Sequence, residues 1–412
     1  MVQRSYKFRL YPSRLQEQDL VQVQEGCRWL FNHMLQRKNE GWTYPHIQAE
    51  IPKLVKEQPF LDDVHSKTRQ YLLWQLRANI KALGGLKKRG RHIGRIRFRG
   101  KGRFKTFVYN QTGFKVVDGR LHLSKVGDIP LKQHREIVGE IKQVIVKRSD
   151  TNKWFAVFCV EQDCVVRTQS KKQVGIDLGI NHYLVDSDGN RVEHPHILNK
   201  RLRELAKAQR RIHRRVKGSR NRAKRRFKVA RVHERVTDTR LDFLHKLSTR
   251  YVREYGFIAV EDLDVKGMVE DERYNARNKM DSGWSAFISL LEYKAESAGV
   301  QLVKVDPKNT TQDCSTCGKR VYKPLWVRTH SCPHCGTVLD RDYNAALNIL
   351  HKAQSRQNGM SALKEIGTEC PKYTPVEIRP LLEVQRDDSK GHPTDIEQAV
   401  SMKQEAPSAR EG

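Results

Sequence analysis

Hydrophobic and polar positions change their period several times along this chain, and each change marks an element. The opening Ser5-Tyr-Lys-Phe-Arg-Leu-Tyr-Pro12 alternates apolar and basic residues as a half-buried strand does, and Pro12-Ser13 ends it and offers a helix cap. Leu20, Val23, Cys27, Leu30 and Met34 recur at three- and four-residue steps, as do Leu73, Leu76, Ile80 and Leu83. This predicts two or more amphipathic helices over roughly 13–85. From Phe107 to about Val165 the chain reads as strands. Asp118-Gly119 separates Val116-Val117 from Leu121-His-Leu, and Asp150-Thr-Asn-Lys separates Val144-Ile-Val from Trp154-Phe-Ala-Val-Phe, as hairpin turns do. A small barrel or sandwich is expected, with the helical lobe inserted after its first strand.

A second domain opens at Gln173-Val-Gly-Ile-Asp-Leu-Gly-Ile180, with Tyr183–Val192 as an adjoining hairpin. A helical hairpin broken at Gly218-Ser219 follows, because Leu202, Leu205, Ile212 and Val216, then Val229, Val232, Val236, Phe243 and Leu247, keep helical spacing. Phe257–Leu263 and Val300–Val305 read as buried strands joined by a helix from about Trp284 to Ser297, an α/β arrangement. After about Leu350 the periodicity fades and Pro, Glu, Ser and Asp dominate, so 356–412 is expected to be a disordered tail.

Charge narrows the function. The 412 residues carry 78 Lys plus Arg against 47 Asp plus Glu, a formal net charge of +31 that repels itself unless a polyanion is present. No segment approaches the ~18 consecutive apolar residues of a spanning helix, and no apolar signal core follows Met1, so the protein is expected to be soluble and cytoplasmic, with nucleic acid rather than a membrane surface as its partner. Two stretches concentrate the charge. Lys200–Arg235 holds seventeen Lys or Arg against Glu204 and Glu234. Lys87–Lys105 combines ten basic residues with four glycines, where Gly permits close backbone approach to phosphates and Ile96, Phe98 and Phe104 supply apolar or stacking faces. Each could instead be a solvated surface.

Two constellations carry chemistry. Cys314-Ser-Thr-Cys317 and Cys332-Pro-His-Cys335 are fourteen residues apart, the spacing of four thiolates around a structural zinc, with Gly318 and Gly336 suited to the tight turns. Cys27, Cys159, Cys164 and Cys370 are scattered, a pattern of metal binding in a reducing compartment rather than of disulfides. His330 and His334 read as surface residues. The second constellation is acidic. Asp177 sits in the β run Val-Gly-Ile-Asp-Leu-Gly and Glu261 ends Phe-Ile-Ala-Val, where an unpaired carboxylate is costly and one ligating a divalent cation is compensated. Asp342 stands at a helix start, where capping is the competing role. Together the three can converge on two Mg²⁺ ions about 4 Å apart, which suits phosphodiester hydrolysis. No zinc-protease helix, Gly-x-Ser-x-Gly elbow or Cys-His pair competes.

At these residues the chain resembles the TnpB family of insertion-sequence-encoded, RNA-guided DNA nucleases, related to type V CRISPR effectors. The resemblance rests on Lys7–Pro12, Gly175–Ile180, Asp242–Leu247, Val260–Leu263, Leu291–Ala295, the cysteines and Asp340-Arg-Asp-Tyr-Asn-Ala-Ala-Leu-Asn-Ile349. It implies a multidomain α/β protein: a RuvC-like nuclease of the RNase H fold at 169–312 and 337–355, a zinc ribbon at 313–336, a wedge β-barrel at 1–11 and 86–168, and a helical recognition lobe at 12–85. It also implies Asp177, Glu261 and Asp342 as catalytic Mg²⁺ ligands, with Asp342 selected over Asp340 because it precedes x-Asn-Ala-Ala. A structured guide RNA and double-stranded target DNA would be the partners, in a bacterial or archaeal cell. The alternatives are a miniature CRISPR effector with the same chemistry, or a binder that does not cut.

Overall fold

The first strand of the chain completes a sheet whose other strands lie beyond three helices. The computed structural model describes residues 2–90, 92–163, 170–270, 276–324 and 326–361, and the chain divides into two units after Asp163. All but the first few residues of the expected tail, 356–412, lie outside the described residues. The first unit contains β1 (Val2–Leu10), α1 (Arg14–Asn39), α2 (Tyr44–Glu57), α3 (Ser66–Lys88), β2 (Thr106–Asn110), β3 (Phe114–Val117), β4 (Arg120–Leu123), β5 (Gly127–Lys132), β6 (Glu140–Arg148) and β7 (Trp154–Gln162). Its seven strands run in the order β2-β6-β7-β1-β5-β4-β3, so the helices are inserted between neighbours of one sheet.

Local chemistry accounts for these boundaries. Ser13 caps α1 in a reciprocal box with Gln16, satisfying helix-end donors that would otherwise be orphaned. Asp118 and Gly119 both adopt the left-handed conformation, φ 48° and 68°, which a two-residue hairpin turn between β3 and β4 requires. Phe8, Tyr109, Trp154 and Phe158 from the sheet and Leu20, Leu30 and Leu76 from the helices share one core. The Gly-rich basic segment after α3 is pinned to α1: Asn32 brackets Arg99, accepting from its N–H at 2.8 Å and donating to its carbonyl at 3.0 Å. Ile96 and Phe104 pack against the core, and Phe98 remains exposed. Two of the three apolar side chains expected as contact faces are therefore anchors.

The second unit contains β8 (Gln173–Leu178), β9 (His182–Asp186), β10 (Arg191–Glu193), α4 (Ile197–His213), α5 (Arg220–Glu254), β11 (Phe257–Glu261), α6 (Val265–Glu270), α7 (Ala276–Ser282), α8 (Trp284–Ala298), β12 (Gln301–Val305), β13 (Thr329–Ser331), β14 (Val338–Asp340) and α9 (Arg341–Ser361). A five-stranded sheet runs β10-β9-β8-β11-β12, with β8, β11 and β12 parallel. Strand alternation decides which side each residue meets. Val174, Ile176 and Leu178 of β8 and Ile258 and Val260 of β11 enter a core with Leu244, Tyr251, Phe287 and Leu291 of α5 and α8. Phe257 and Ala259 face the other way, onto Ile349 and Ala353 of α9. Gly175, Asp177 and Glu261 have this second parity.

Gly175 sets how near α9 can come. A Cβ there would lie 2.2 Å from the Ala346 carbonyl oxygen and 2.8 Å from the Leu350 nitrogen, so helix backbone rests directly on strand backbone. The basic hairpin α4–α5 buries Leu205, Ile212, Val229 and Val232 between its helices. Val216, expected in that stripe, lies instead in the connection after α4, 78 % exposed, because the helix ends at His213.

Gly175→Ala is expected to destabilise the second unit by about 1–3 kcal/mol through overpacking. Gly84→Ala in α3, where a Cβ meets nothing within 4 Å, is expected to stabilise by up to about 1 kcal/mol through helix propensity. Thermal unfolding of the two variants checks the opposite signs.

Candidate active site

Asp177 and Glu261 are neighbours by register. β8 and β11 pair in parallel up to Ile176↔Val260, which places the two carboxylates side by side at the next position, toward the carboxyl ends of the strands. Both are 9 % exposed. Burial, then the charges of Glu261 and Asp342, pushes the Asp177 carboxyl well above the ordinary carboxylate range, against a smaller opposing effect of Arg341. Burial also raises Glu261, opposed by a hydrogen bond from Thr310 Oγ1 to Oε1 at 2.6 Å and by the charge of Lys352.

Asp342 arrives from α9, in its first turn. The competing role of helix cap falls to a different residue: Asp340 Oδ1 accepts from the backbone nitrogens of Asp342 at 3.0 Å and Tyr343 at 3.1 Å. The Asp342 side chain is thus left for other work. Arg341 holds it at 3.1 Å and Arg328 at 3.5 Å, so two cations compensate it directly, whereas Arg341 only partly offsets the raised Asp177. The structure brings all three sequence-derived carboxylates together on the α9 side of the sheet. Desolvated, mutually repelling oxygens are a poor arrangement alone and a fitting donor set for a hard divalent cation.

The four cysteines also meet. Their sulfurs all lie within 4.8 Å of one another, with Cys314–Cys335 and Cys317–Cys332 both at 3.6 Å. Four thiolates ~2.3 Å from a tetrahedral ion stand about 3.8 Å apart, so the cluster has the size of a metal cage. Each pair is a turn closed on the first cysteine's carbonyl: Gly318 N–H donates to Cys314 at 2.8 Å and Gly336 N–H to Cys332 at 3.0 Å, both glycines with φ near +70°. The Thr337 hydroxyl, 3.2 Å from Cys335 Sγ, pulls that thiol toward its ionised form. His334 is exposed as expected. His330 is not: it is fully buried and takes Lys323 Nζ at Nδ1, outside the sulfur cluster. Ribbon β13–β14 leaves this cluster, and α9 follows β14 directly.

Sequence reasoning overlooked Thr310, Arg328, Arg341, Asn344 and Asn348. The two asparagines carried a signal, since polar residues four apart interrupt an otherwise apolar stretch of α9. Thr310 gave none. No described helix is long and apolar enough to cross a membrane.

Comparison with known proteins adds three family matches. Residues 157–272 match the OrfB_IS605 family, described as "Probable transposase"; 284–349 match the "Cas12f1-like, TNB domain"; and 1–44 match a "Helix-turn-helix domain". In this chain the last of these stretches is β1 followed by the single continuous helix α1. A "Putative RNA-guided DNA endonuclease" of Streptomyces pristinaespiralis is 36 % identical over 363 residues, covering 85 % of this chain and 89 % of its own. The "Putative RNA-guided DNA endonuclease InsQ" of Escherichia coli K12 is 29 % identical over 373 residues, 84 % of this chain and 91 % of its own. Among solved structures, the Cas12f1 chain of a complex with sgRNA and target DNA superposes with a TM-score of 0.54 at 14 % identity, over 84 % of this chain and 98 % of that one. The fold is Cas12f-like.

A carboxyl whose pKa is raised by folding contributes stability while protonated, and loses it as pH rises through the folded value. In metal-free protein Asp177 therefore becomes a growing liability above the ordinary carboxylate pKa of about 4. Asp177→Asn is expected to melt above wild type by a margin that widens with pH, and Mn²⁺ to close the gap by stabilising wild type only. A margin independent of pH would contradict the electrostatic reading. A metal held by the four cysteines would brace their loops, so strong chelation or Cys332→Ser is expected to lower the melting temperature of the second unit, with metal content followed by mass spectrometry.

Proposed function

This chain belongs to the TnpB family, and we propose that it is an RNA-guided, Mg²⁺-dependent DNA endonuclease serving a transposable element, with Asp177, Glu261 and Asp342 as its catalytic carboxylates. The observation that carries this reading is the buried Asp177 carboxyl of β8, raised by the charges of both Glu261 from β11 and Asp342 from α9. The three would hold two Mg²⁺ ions, which when bound activate a water and stabilise the leaving oxygen of a phosphodiester. Asp177, raised by burial and by the charges of both others, is the carboxylate most in need of a cation. Arg341 and Arg328 orient Asp342 through their ion pairs with it.

The remaining assignments follow from the same reading. The five-stranded sheet with α9 on one face and α5 and α8 on the other is the RuvC-like nuclease, and Cys314, Cys317, Cys332 and Cys335 hold structural zinc in a ribbon inserted before α9. The seven-stranded sheet is the wedge barrel and α1–α3 the recognition lobe. A structured guide RNA and double-stranded DNA are the partners. The basic face of α4–α5 and the segment 92–105, with Phe98 exposed, suit contact with nucleic-acid backbones and leave sequence reading to the guide.

Protein purified with its co-expressed RNA is expected to cut DNA matched to that RNA when Mg²⁺ is present and to stop when it is chelated. Asp177→Ala is expected to reduce cutting to background with RNA retained. Sequencing the retained RNA is expected to place its guide beyond the end of a mobile element rather than in a repeat array. Persistent cutting by Asp177→Ala would refute the active-site assignment.

A further inference from the structure

Helix α9 has a polar edge beside the face it lays on the sheet. Asn344, Asn348, Lys352 and Arg356 recur every fourth residue, about 6 Å apart along the helix. Each donates to a main-chain carbonyl of β12 or of the segment that leaves it. Asn344 reaches Asp313 at 2.8 Å, Asn348 reaches Thr310 at 2.9 Å and Asp313 at 2.6 Å, Lys352 reaches Lys308, and Arg356 reaches Lys304 at 3.0 Å. The helix and the segment run in opposite directions, so the side chains form successive rungs between them.

Two rungs of this ladder meet the cysteine cluster and the carboxylates. At one end, Asn344 brackets Cys314: it takes the carbonyl of the preceding residue through Nδ2 and the N–H of the following Ser315 through Oδ1 at 2.9 Å. In the middle, Asn348 holds the backbone of Thr310, which is 2 % exposed and whose hydroxyl donates to Glu261 Oε1. The Pro307 carbonyl, 2.9 Å away, is the other acceptor within reach of that single proton. A carboxylate with Oε1 so engaged presents Oε2 in a fixed direction.

We propose that Thr310 is a positioning residue for Glu261, and that Asn344 and Asn348 tie its placement to the four-cysteine site, so that this site orders the cutting centre as well as its own loop. The proposal rests on Glu261 being a ligand of the catalytic metal. Removing the hydroxyl frees Glu261 to rotate; removing the asparagine rungs frees the segment that carries the hydroxyl. Groups that orient a metal ligand from behind typically change metal affinity or activity by about 10–100-fold.

Thr310→Val keeps the side-chain shape and removes the donor, whereas Thr310→Ser keeps the donor. Binding of Mn²⁺ to the RNA-free full chain is read by electron paramagnetic resonance, and the Mg²⁺ concentration for half-maximal cutting is read on the RNA-loaded protein. Thr310→Val and Asn348→Leu are expected to weaken Mn²⁺ binding by about 10–100-fold and to raise the Mg²⁺ requirement in step. Thr310→Ser is expected to stay close to wild type, with cysteine-bound metal and melting temperature preserved in both Thr310 variants. Wild-type Mn²⁺ affinity in Thr310→Val, with affinity lost in Asp177→Ala, would overturn the positioning role alone, as would equal losses in the Val and Ser variants. Unchanged Mn²⁺ affinity in Asp177→Ala would overturn the underlying assignment of the metal site.

Discussion

The seating of α9 against β8 is the contact on which the rest of the second unit depends. Gly175 has no Cβ, and the Ala346 carbonyl occupies the space where one would stand. Ala345 and Ala346, fully buried, keep that part of the helix slim, while Ile349 and Ala353 pack farther along against Phe257 and Ala259. From this seat the helix delivers Asp342 beside two strand carboxylates, and its polar edge holds the segment that orients Glu261. A bulkier contact would lift all of these together, because they ride on one rigid element.

Electrostatics separates two clusters of very different chemistry that the chain joins within a few residues. Two buried carboxylates with a third, half-buried one beside them suit hard cations with oxygen ligands, whereas four sulfurs at cage distance suit a soft, tetrahedral ion. Their proposed roles differ in the same way, one open to a substrate and the other closed. The excess of positive charge acts at longer range. Charge of this sign and size attracts polyanions, and Arg328 and Arg341 show it used locally, in steadying Asp342.

Much of this was legible in the sequence, for reasons that can be stated. Ser13 announced the start of α1 because its side chain can accept from the first helical N–H groups, and Asp118-Gly119 announced a hairpin because few residues adopt the left-handed conformation easily. Asp177 stood out because it lies between Ile176 and Leu178, and Glu261 because it ends the apolar run Phe-Ile-Ala-Val; a charge buried by such neighbours needs a reason. Asp342 did not, since helix starts commonly carry acidic caps, and only the coordinates assign the cap to Asp340. Thr310 was invisible for the opposite reason: hydroxyl residues abound in turns, and what distinguishes this one is its partner 49 residues away. The burial of His330 was likewise a matter of tertiary contact, through Lys323. Ile96 and Phe104 turned inward because an extended basic segment needs anchors to hold its course along α1.

The central claim is that Asp177, Glu261 and Asp342 bind catalytic divalent metal while the cysteines bind zinc. Anomalous scattering from crystals of the RNA-loaded protein with Mn²⁺, collected at the manganese and zinc edges, tests it most directly. Manganese density among the three carboxylates, with zinc density confined to Cys314, Cys317, Cys332 and Cys335, is the predicted result. Manganese bound elsewhere with these carboxylates free, or a carboxylate of the three turned away from the ion, would contradict it.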